Sequence, residues 1–180
     1  AGATTRFVFT TSGSNAEAYL IRPTGHGPLP LMILLHGHTF GSIGGGESVV
    51  PEAEAFARHL CFAGLAVSLP GYGATEVQPG PDPKNILNVT LNVVLDGVSL
   101  VKKFPWIDAK RLYLFGYSRG AFFAALLVNR IEEIKGVVLQ SGAYDLNRFY
   151  RDTLWFRSML NPNGEHNPKL ISIFPQVPTW

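Results

Sequence analysis

The strongest constraint on the fold is the run Gly-Tyr-Ser-Arg-Gly at residues 116–120, which lies between an apolar strand pattern and an apolar helix pattern. A serine in that position sits on a sharp strand-to-helix turn, and Gly116 and Gly120 are small enough to permit it. The turn exposes the Ser118 hydroxyl next to the N-terminus of the helix, where developing negative charge is stabilised. The pattern predicts Ser118 as a nucleophile. An ordinary turn with a capping serine is the alternative.

The rest of the chain alternates short β-rich runs with longer helical patterns, which indicates an α/β fold with a mostly parallel sheet and helices on both faces. The first two strands flank a Ser-Gly-Ser-Asn turn and predict an antiparallel hairpin at the sheet edge. Strands are predicted over 6–10, 16–21, 31–35, 66–69, 111–117 and 135–140. Helices are predicted over 51–63 (with Gly64 as its C-cap), 86–104, 119–129 and 145–155. Residues 169–180 are predicted to form a short helix followed by a Val-Pro-Thr-Trp end.

Composition limits the class of protein. The 180 residues fit a single domain, 1–180, and 46% hydrophobic against 16% charged residues predicts an ordered globular chain. The net charge of +2 is scattered, which argues against a nucleic-acid partner. No apolar stretch has the length of a membrane span, so we expect a soluble protein with no membrane partner. The sequence leaves the compartment open, with the cytoplasm favoured over secretion.

A second candidate site follows the predicted strand 31–35. Acyl transfer produces an oxyanion that needs two backbone N–H donors. One is the N–H of the residue after the nucleophile, Arg119, and the other comes from the loop that begins His36-Gly37-His38-Thr39. His38 is the first choice for this donor and Thr39 the second.

Two other interpretations of these segments are weaker. His36 and His38 resemble a metal pair, but no neighbouring carboxylate or cysteine completes a site, so we expect no metal and no cofactor. The three glycines at 44–46 resemble a phosphate-binding loop but lack its Lys and Ser/Thr, so they indicate a flexible loop instead.

Three motifs, taken together, carry a resemblance to a known family. The His-Gly loop, the Pro70-Gly71-Tyr72-Gly73 turn and the Ser118 pentapeptide come in the order and spacing of the α/β-hydrolase superfamily. The chain looks most like esterases and the peptidase-like members of the prolyl oligopeptidase group. The resemblance covers essentially the whole chain and implies a serine hydrolase, with Tyr72 and Tyr117 packed near the site.

The chain departs from this family at its C-terminal end. The family places its acid after the seventh strand and its histidine after the eighth. Here residues 177–180 look like the start of the seventh strand, and the sequence ends there. The resemblance therefore implies an α/β-hydrolase fold that lacks its last strands, truncated before the usual acid and histidine.

A serine without a general base is a poor nucleophile, and three interpretations stay open. The chain is an N-terminal fragment with an incomplete site, or another chain or a complementing C-terminal fragment supplies the missing residues. Alternatively the triad is rebuilt within the chain: His166 is the only histidine after Ser118, and Asp145 follows the sixth strand. For these two residues, a loop position and a helix cap are the structural alternatives.

The resemblance implies a carboxylesterase that acts on small acyl esters. A non-catalytic binding or oligomerising domain and a peptidase are the alternatives. Nothing before Arg6 is long enough to encode the lid or propeller domain of such peptidases, which favours the esterase. Loss of the last strands leaves the sixth strand as an open edge, so we also expect a homo-oligomer, in the first place a dimer.

Overall fold

The computed structural model describes residues 2–25, 27–38, 44–78 and 83–154. These residues form six strands and four α-helices, with a 3₁₀ turn at Gly46–Val49 before the first helix. The strands are β1 (Ala3–Thr11), β2 (Ser14–Arg22), β3 (Leu29–Leu35), β4 (Ala63–Val67), β5 (Ile107–Tyr117) and β6 (Ile134–Gln140). The helices are α1 (Val50–Leu60), α2 (Pro83–Val101), α3 (Arg119–Leu127) and α4 (Leu146–Asp152).

The six strands form one sheet in the order β1-β2-β4-β3-β5-β6. β3 pairs in parallel with β4 and β5, and β5 pairs in parallel with β6. β1 and β2 form an antiparallel hairpin, and β2 joins the sheet antiparallel to β4. The predicted fold class and the predicted edge hairpin are therefore confirmed.

Helices cover both faces of the sheet because successive side chains of a strand point to opposite sides. Leu31, Ile33 and Leu35 of β3 pack in one core cluster with residues of α2 and α3. Met32 and Leu34 pack in a second cluster with residues of α1. A strand buried on both faces needs the continuous apolar run from which β3 was predicted.

The end of α1 was predicted incorrectly. Gly64 is not its C-cap: the helix ends at Leu60, and Cys61 takes the left-handed cap position with φ 55°. Gly64 lies inside β4, where a Cβ would come 2.9 Å from the Cβ of Ala53. The glycine is needed because α1 packs closely on the strand, rather than because a turn requires it.

Other element boundaries differ by a few residues. Strand β4 begins at Ala63 instead of 66, and β5 begins at Ile107 instead of 111. Helix α2 spans Pro83–Val101 instead of 86–104, and a turn occupies 102–104. The predicted helix at 145–155 is α4, Leu146–Asp152. The predicted short helix within 169–180 lies outside the described residues.

The parallel strands end at one edge of the sheet, and this edge carries the candidate site. β3 ends at Leu35, β5 ends at Tyr117 and their carboxyl ends are adjacent, because Leu35 is paired with Gly116. β4 ends beside β3, since Val67 is paired with Leu35. The loops after β3, β4 and β5 therefore meet, as is usual for binding sites of open α/β sheets.

Candidate active site

Ser118 forms the single-residue turn between β5 and α3. Its φ of 51° and ψ of −115° lie in a backbone region that residues other than glycine rarely adopt. Such a conformation costs about 1–3 kcal/mol and persists only where the surrounding structure imposes it. The Ser118 N–H donates to the carbonyl oxygen of Gln140 at 2.8 Å, and the side chain is partly exposed. The serine is thus held in a strained turn with its side chain open to solvent.

The two glycines of the pentapeptide make this turn possible. A Cβ on Gly116 would lie 2.5 Å from the Gly120 carbonyl oxygen, and one on Gly120 would overlap the backbone carbonyl of Leu35. Helix α3 therefore begins in direct contact with the end of β3. The need for small residues on both sides of Ser118 follows from these two contacts.

The loop after β3 packs against Ser118 through Gly37. A Cβ on Gly37 would lie 3.2 Å from the Cβ of Ser118 and 2.9 Å from Cδ1 of Tyr117. Tyr117 itself is exposed. His38, whose backbone N–H is the predicted oxyanion donor, directly follows the glycine that lies against the serine. Thr39, the second choice for that donor, lies outside the described residues.

Arg119 is the first residue of α3, where backbone N–H groups have no partner within the helix. Its N–H donates in no hydrogen bond between described residues. The guanidinium lies 5.2 Å from the ring centroid of Tyr72 and 5.4 Å from that of Phe123, so two aromatic rings hold the side chain. The N–H next to Ser118 thus lies at the N-terminus of α3, where the helix dipole favours negative charge.

His36 is fully buried and fixed in one tautomer. Its Nε2 accepts a hydrogen bond from the Leu69 N–H at 3.0 Å, so Nδ1 carries the proton and donates to the Gly37 carbonyl oxygen at 2.7 Å. Burial lowers its pKa to about 4, and the nearby charge of Arg119 acts in the same direction. Neutral His36 joins the loops after β3 and β4, and neither ring nitrogen is free to act as a base.

Tyr72 links the histidine loop to the turn after β4. Its hydroxyl is hydrogen-bonded to Nδ1 of His38, and its ring makes edge contacts with His36 and His38, with centroids 4.7 Å and 5.8 Å away. Tyr72 is only 7% exposed, whereas His38 is exposed. The tyrosine is thus packed beneath the histidine loop, near the site as the sequence indicated.

Asp145 caps helix α4. Its Oδ1 accepts a hydrogen bond from the Arg148 N–H at 2.8 Å, and the residue is exposed. This is the capping role that the sequence offered as the structural alternative. His166 lies outside the described residues, so the triad of these two residues with Ser118 stays a prediction.

Glu17, a carboxylate of β2 that is 3% exposed, also supports the site and was not predicted from the sequence. Its Oε1 accepts from Nε of Arg6 at 2.5 Å, and its Oε2 accepts from the Ser68 hydroxyl at 2.7 Å and the Ala74 N–H at 3.1 Å. Burial alone raises the pKa of Glu17, but the hydrogen bonds from Ser68, Arg6 and Ala74 outweigh it and lower the pKa. In the sequence, the only sign of this role is that the charged Glu17 stands between two alanines, Ala16 and Ala18, within a predicted strand.

The Glu17 carboxylate fixes the turn that carries Tyr72. Ser68 directly follows the end of β4, and its hydroxyl also accepts the Gly46 N–H at 2.8 Å. The Thr75 hydroxyl donates to the Ser68 carbonyl oxygen at 2.8 Å and accepts the Glu17 N–H at 3.1 Å. Both ends of the segment from Ser68 to Thr75 are thereby tied to β2.

The described residues were also compared with the requirements of a metal site and of a membrane span. Within them, no three side chains of the His, Cys, Asp and Glu types come together in a way that would hold a metal ion. None of their helices combines the length and the apolar character that crossing a membrane requires.

The mostly parallel sheet, covered on both faces and ending at a strained serine between β5 and α3, defines the α/β-hydrolase class. The structure resembles an esterase from Pyrococcus furiosus with a TM-score of 0.64 and 20% identity, over 96% of this chain and 59% of that one. It also resembles the acylaminoacyl peptidase of Pyrococcus horikoshii with a TM-score of 0.67 and 14% identity, over 96% and 29% of the two chains. At these identities the likeness is one of fold.

The amino-acid sequence also matches one particular family within this class. The sequence model of the prolyl oligopeptidase family matches residues 88–177, which is half of the chain. The protein belongs to the prolyl oligopeptidase family. A stretch of 62 residues is 40% identical to the bifunctional protein PyrR of Nostoc punctiforme, but it covers only 34% of each chain. The protein spans little more than half the length of the Pyrococcus furiosus esterase and a third of PyrR.

Proposed function

We propose that this protein is a carboxylesterase that hydrolyses small acyl esters with Ser118 as its nucleophile. The observation that carries the proposal is the position of Ser118: a strained turn at the carboxyl edge of the sheet, with the Gly37 loop packed against its Cβ. Strain of this kind is concentrated at functional sites. The membership in the prolyl oligopeptidase family and the fold of the Pyrococcus furiosus esterase support the same chemistry.

The proposed reaction has two acyl-transfer steps. The Ser118 Oγ bonds to the ester carbonyl carbon while its proton passes to a general base, and the carbonyl oxygen becomes an oxyanion. The N–H of Arg119 and the N–H of His38, or that of Thr39, donate to this oxyanion. The C–O bond then breaks, and the leaving alcohol takes the proton from the base. Water releases the acyl group from Ser118 by the same sequence, which restores the serine hydroxyl.

The general base is a separate part of the proposal. His36 is excluded, because it is buried and uses both ring nitrogens within the protein. We place His166 as the base and Asp145 as the acid that orients it, both within this chain. A histidine from another chain or from a complementing C-terminal fragment is the competing source. Asp145 would then keep only its capping hydrogen bond to Arg148.

A peptidase is the second candidate, and two comparisons favour it. The matching family is that of prolyl oligopeptidase, and one fold neighbour is an acylaminoacyl peptidase. Both activities use the same nucleophile and differ in the leaving group. Comparison of p-nitrophenyl acetate with acetyl-alanine p-nitroanilide separates them: an esterase hydrolyses the ester much faster relative to the uncatalysed rate, whereas a peptidase also cleaves the anilide.

Hydrolysis of p-nitrophenyl acetate by four variants tests the proposal. We expect Ser118→Ala to abolish turnover and the exposed Ser99→Ala to retain it. Loss of turnover in both His166→Ala and Asp145→Asn would support the internal base and acid, whereas full activity in both would show that neither residue has this role. Absence of turnover above the Ser118→Ala background in the unaltered protein would argue against a base within this chain, and absence of fluorophosphonate labelling as well would favour the non-catalytic binding domain.

We also propose that the protein self-associates. Strand β6 is the last in the described sheet, and Val137 and Val138 on it are 39% and 47% exposed. An edge strand with exposed apolar side chains offers unpaired backbone groups to a second strand. A second copy of this chain, paired along β6, would cover these side chains.

A further inference from the structure

Tyr72 contacts both of the residues whose backbone N–H groups are the candidate oxyanion donors. Its hydroxyl is hydrogen-bonded to Nδ1 of His38, and its ring carries the guanidinium of Arg119 at 5.2 Å. His38 lies in the loop after β3 and Arg119 opens helix α3. One side chain, from the turn after β4, therefore joins two segments that are far apart in the sequence.

We infer that Tyr72 is a positioning residue that holds the His38 and Arg119 amides in one oxyanion-binding arrangement. This inference rests on the proposed function, because it assigns the two amides to the oxyanion. Tyr72 acts through its neighbours: the hydroxyl restrains the His38 side chain and hence its backbone, and the ring face restrains Arg119. The residue is 7% exposed, so it acts from within the protein and beneath the histidine loop.

Tyr72 is itself held rigidly, which positioning requires. Its N–H donates to the Leu69 carbonyl oxygen at 3.1 Å, and its carbonyl oxygen accepts from the Thr75 N–H at 3.1 Å. The ring packs edge-on against His36 at 4.7 Å, and His36 in turn binds the Leu69 N–H. The turn that carries the tyrosine is fixed at Ser68 and Ala74 by the buried carboxylate of Glu17.

The two kinds of contact that Tyr72 makes can be removed separately. Tyr72→Phe removes the hydroxyl bonded to His38 and keeps the ring under Arg119. Tyr72→Leu removes both contacts. Tyr113→Phe is the matched control, because Tyr113 belongs to the core on the opposite face of the sheet, where its ring packs on Phe62. Thermal unfolding of each variant shows whether a change in reactivity reflects loss of the fold.

The first readout is the second-order rate at which a fluorophosphonate labels Ser118, a reaction that places developing negative charge on an oxygen facing the two amides. Removal of one oxyanion donor costs about 10²–10³ in rate, and a misplaced donor costs part of that. We expect about tenfold slower labelling in Tyr72→Phe, about hundredfold in Tyr72→Leu and no change in Tyr113→Phe. A folded Tyr72→Phe labelled at the unaltered rate would overturn the inference while leaving the proposed function intact.

The second readout does not depend on activity. In ¹H–¹⁵N spectra, Tyr72→Phe should shift the amide signal of residue 38 and leave that of residue 119 in place, whereas Tyr72→Leu should shift both. If the unaltered protein is not labelled at all, the proposed function fails, and these spectra alone decide the position of the amides. An unmoved residue 38 signal in Tyr72→Phe would then overturn the positioning role.

Discussion

The backbone N–H of Leu69 donates to Nε2 of His36 at 3.0 Å, inside the protein, where the imidazole is fully buried. This bond requires an unprotonated Nε2, so protonation of His36 breaks a contact between the loops after β3 and β4. The pKa of His36 is lowered to about 4 by burial and by the charges of Arg119 and His38. The unfolded chain binds this proton at its ordinary value of 6.5.

Acid should therefore destabilise the fold through His36. The unfolded state binds more protons than the native state between about pH 6.5 and about pH 4, so the free energy of unfolding falls as the pH drops through this range. The loss is on the order of 3 kcal/mol at its full extent. Urea unfolding at several pH values measures it. His36→Gln should flatten this slope, whereas the exposed His59→Gln should keep it. An unchanged slope in His36→Gln contradicts the assignment.

Gly120 should not tolerate a side chain. A Cβ at this position overlaps the carbonyl of Leu35, so Gly120→Ala must push α3 away from the end of β3. We expect a loss of about 1–3 kcal/mol in the free energy of unfolding, as for other overpacked sites. Gly25→Ala is the control, because its nearest contact would be an ordinary 3.8 Å from the Leu29 side chain. Equal stability of the two variants would show that the helix start has room to move.

Replacement of Glu17 should weaken the fold and change its acid response. Glu17→Gln loses the charge bonded to Arg6 and Ser68, which costs about 1–3 kcal/mol at neutral pH. Because the pKa of Glu17 is lowered in the native state, its stabilising effect is complete above the ordinary value of 4.5 and is lost as the pH falls below that value. This pH range begins at the acid end of the range over which His36 changes the free energy of unfolding.

Urea unfolding at about pH 7 and about pH 3.5 checks this effect. The difference between Glu17→Gln and the unaltered protein should be large at the first value and smaller at the second. The exposed Glu132→Gln should match the unaltered protein at both. A constant difference at both pH values would mean that the charge of Glu17 is not what stabilises the turn after β4.

The exposed edge of β6 should control the oligomeric state. Val138→Lys places a charge on an edge side chain that is 47% exposed, which opposes pairing of β6 with a second copy. Light scattering after size exclusion should show a dimer at micromolar concentration for the unaltered protein and a monomer for this variant. A strict monomer before substitution rules out the proposed self-association.

Much of the architecture follows from local pattern. The apolar run of β3, the hairpin turn between β1 and β2 and the pentapeptide around Ser118 each require a particular local structure, and each is found where it was predicted. The predicted C-cap of α1 was wrong because the glycine is required by a tertiary contact. Gly64 is small because Ala53 of α1 packs onto it, and a single sequence does not distinguish that requirement from a turn.

The contacts of the candidate site depend on three loops that the sequence does not relate to one another. Ser118 is predicted as the nucleophile from its neighbours along the chain. The hydrogen bonds of Glu17, by contrast, reach Ser68 and Ala74, more than 50 residues away. The contact of the Arg119 guanidinium with the Tyr72 ring likewise exists only after β4 and β5 are placed on either side of β3. Long-range contacts of this kind need the sheet order, which strand patterns alone do not supply.

Ser118 is the proposed reacting group, and the residue that a covalent probe labels is the sharpest test of this role. The protein is treated with a fluorophosphonate, digested and mapped by peptide mass. We predict a single phosphonylated residue, Ser118, and no adduct in Ser118→Ala, while Ser99→Ala is labelled like the unaltered protein. An adduct on any other residue, or equal labelling of Ser118→Ala, would contradict the account.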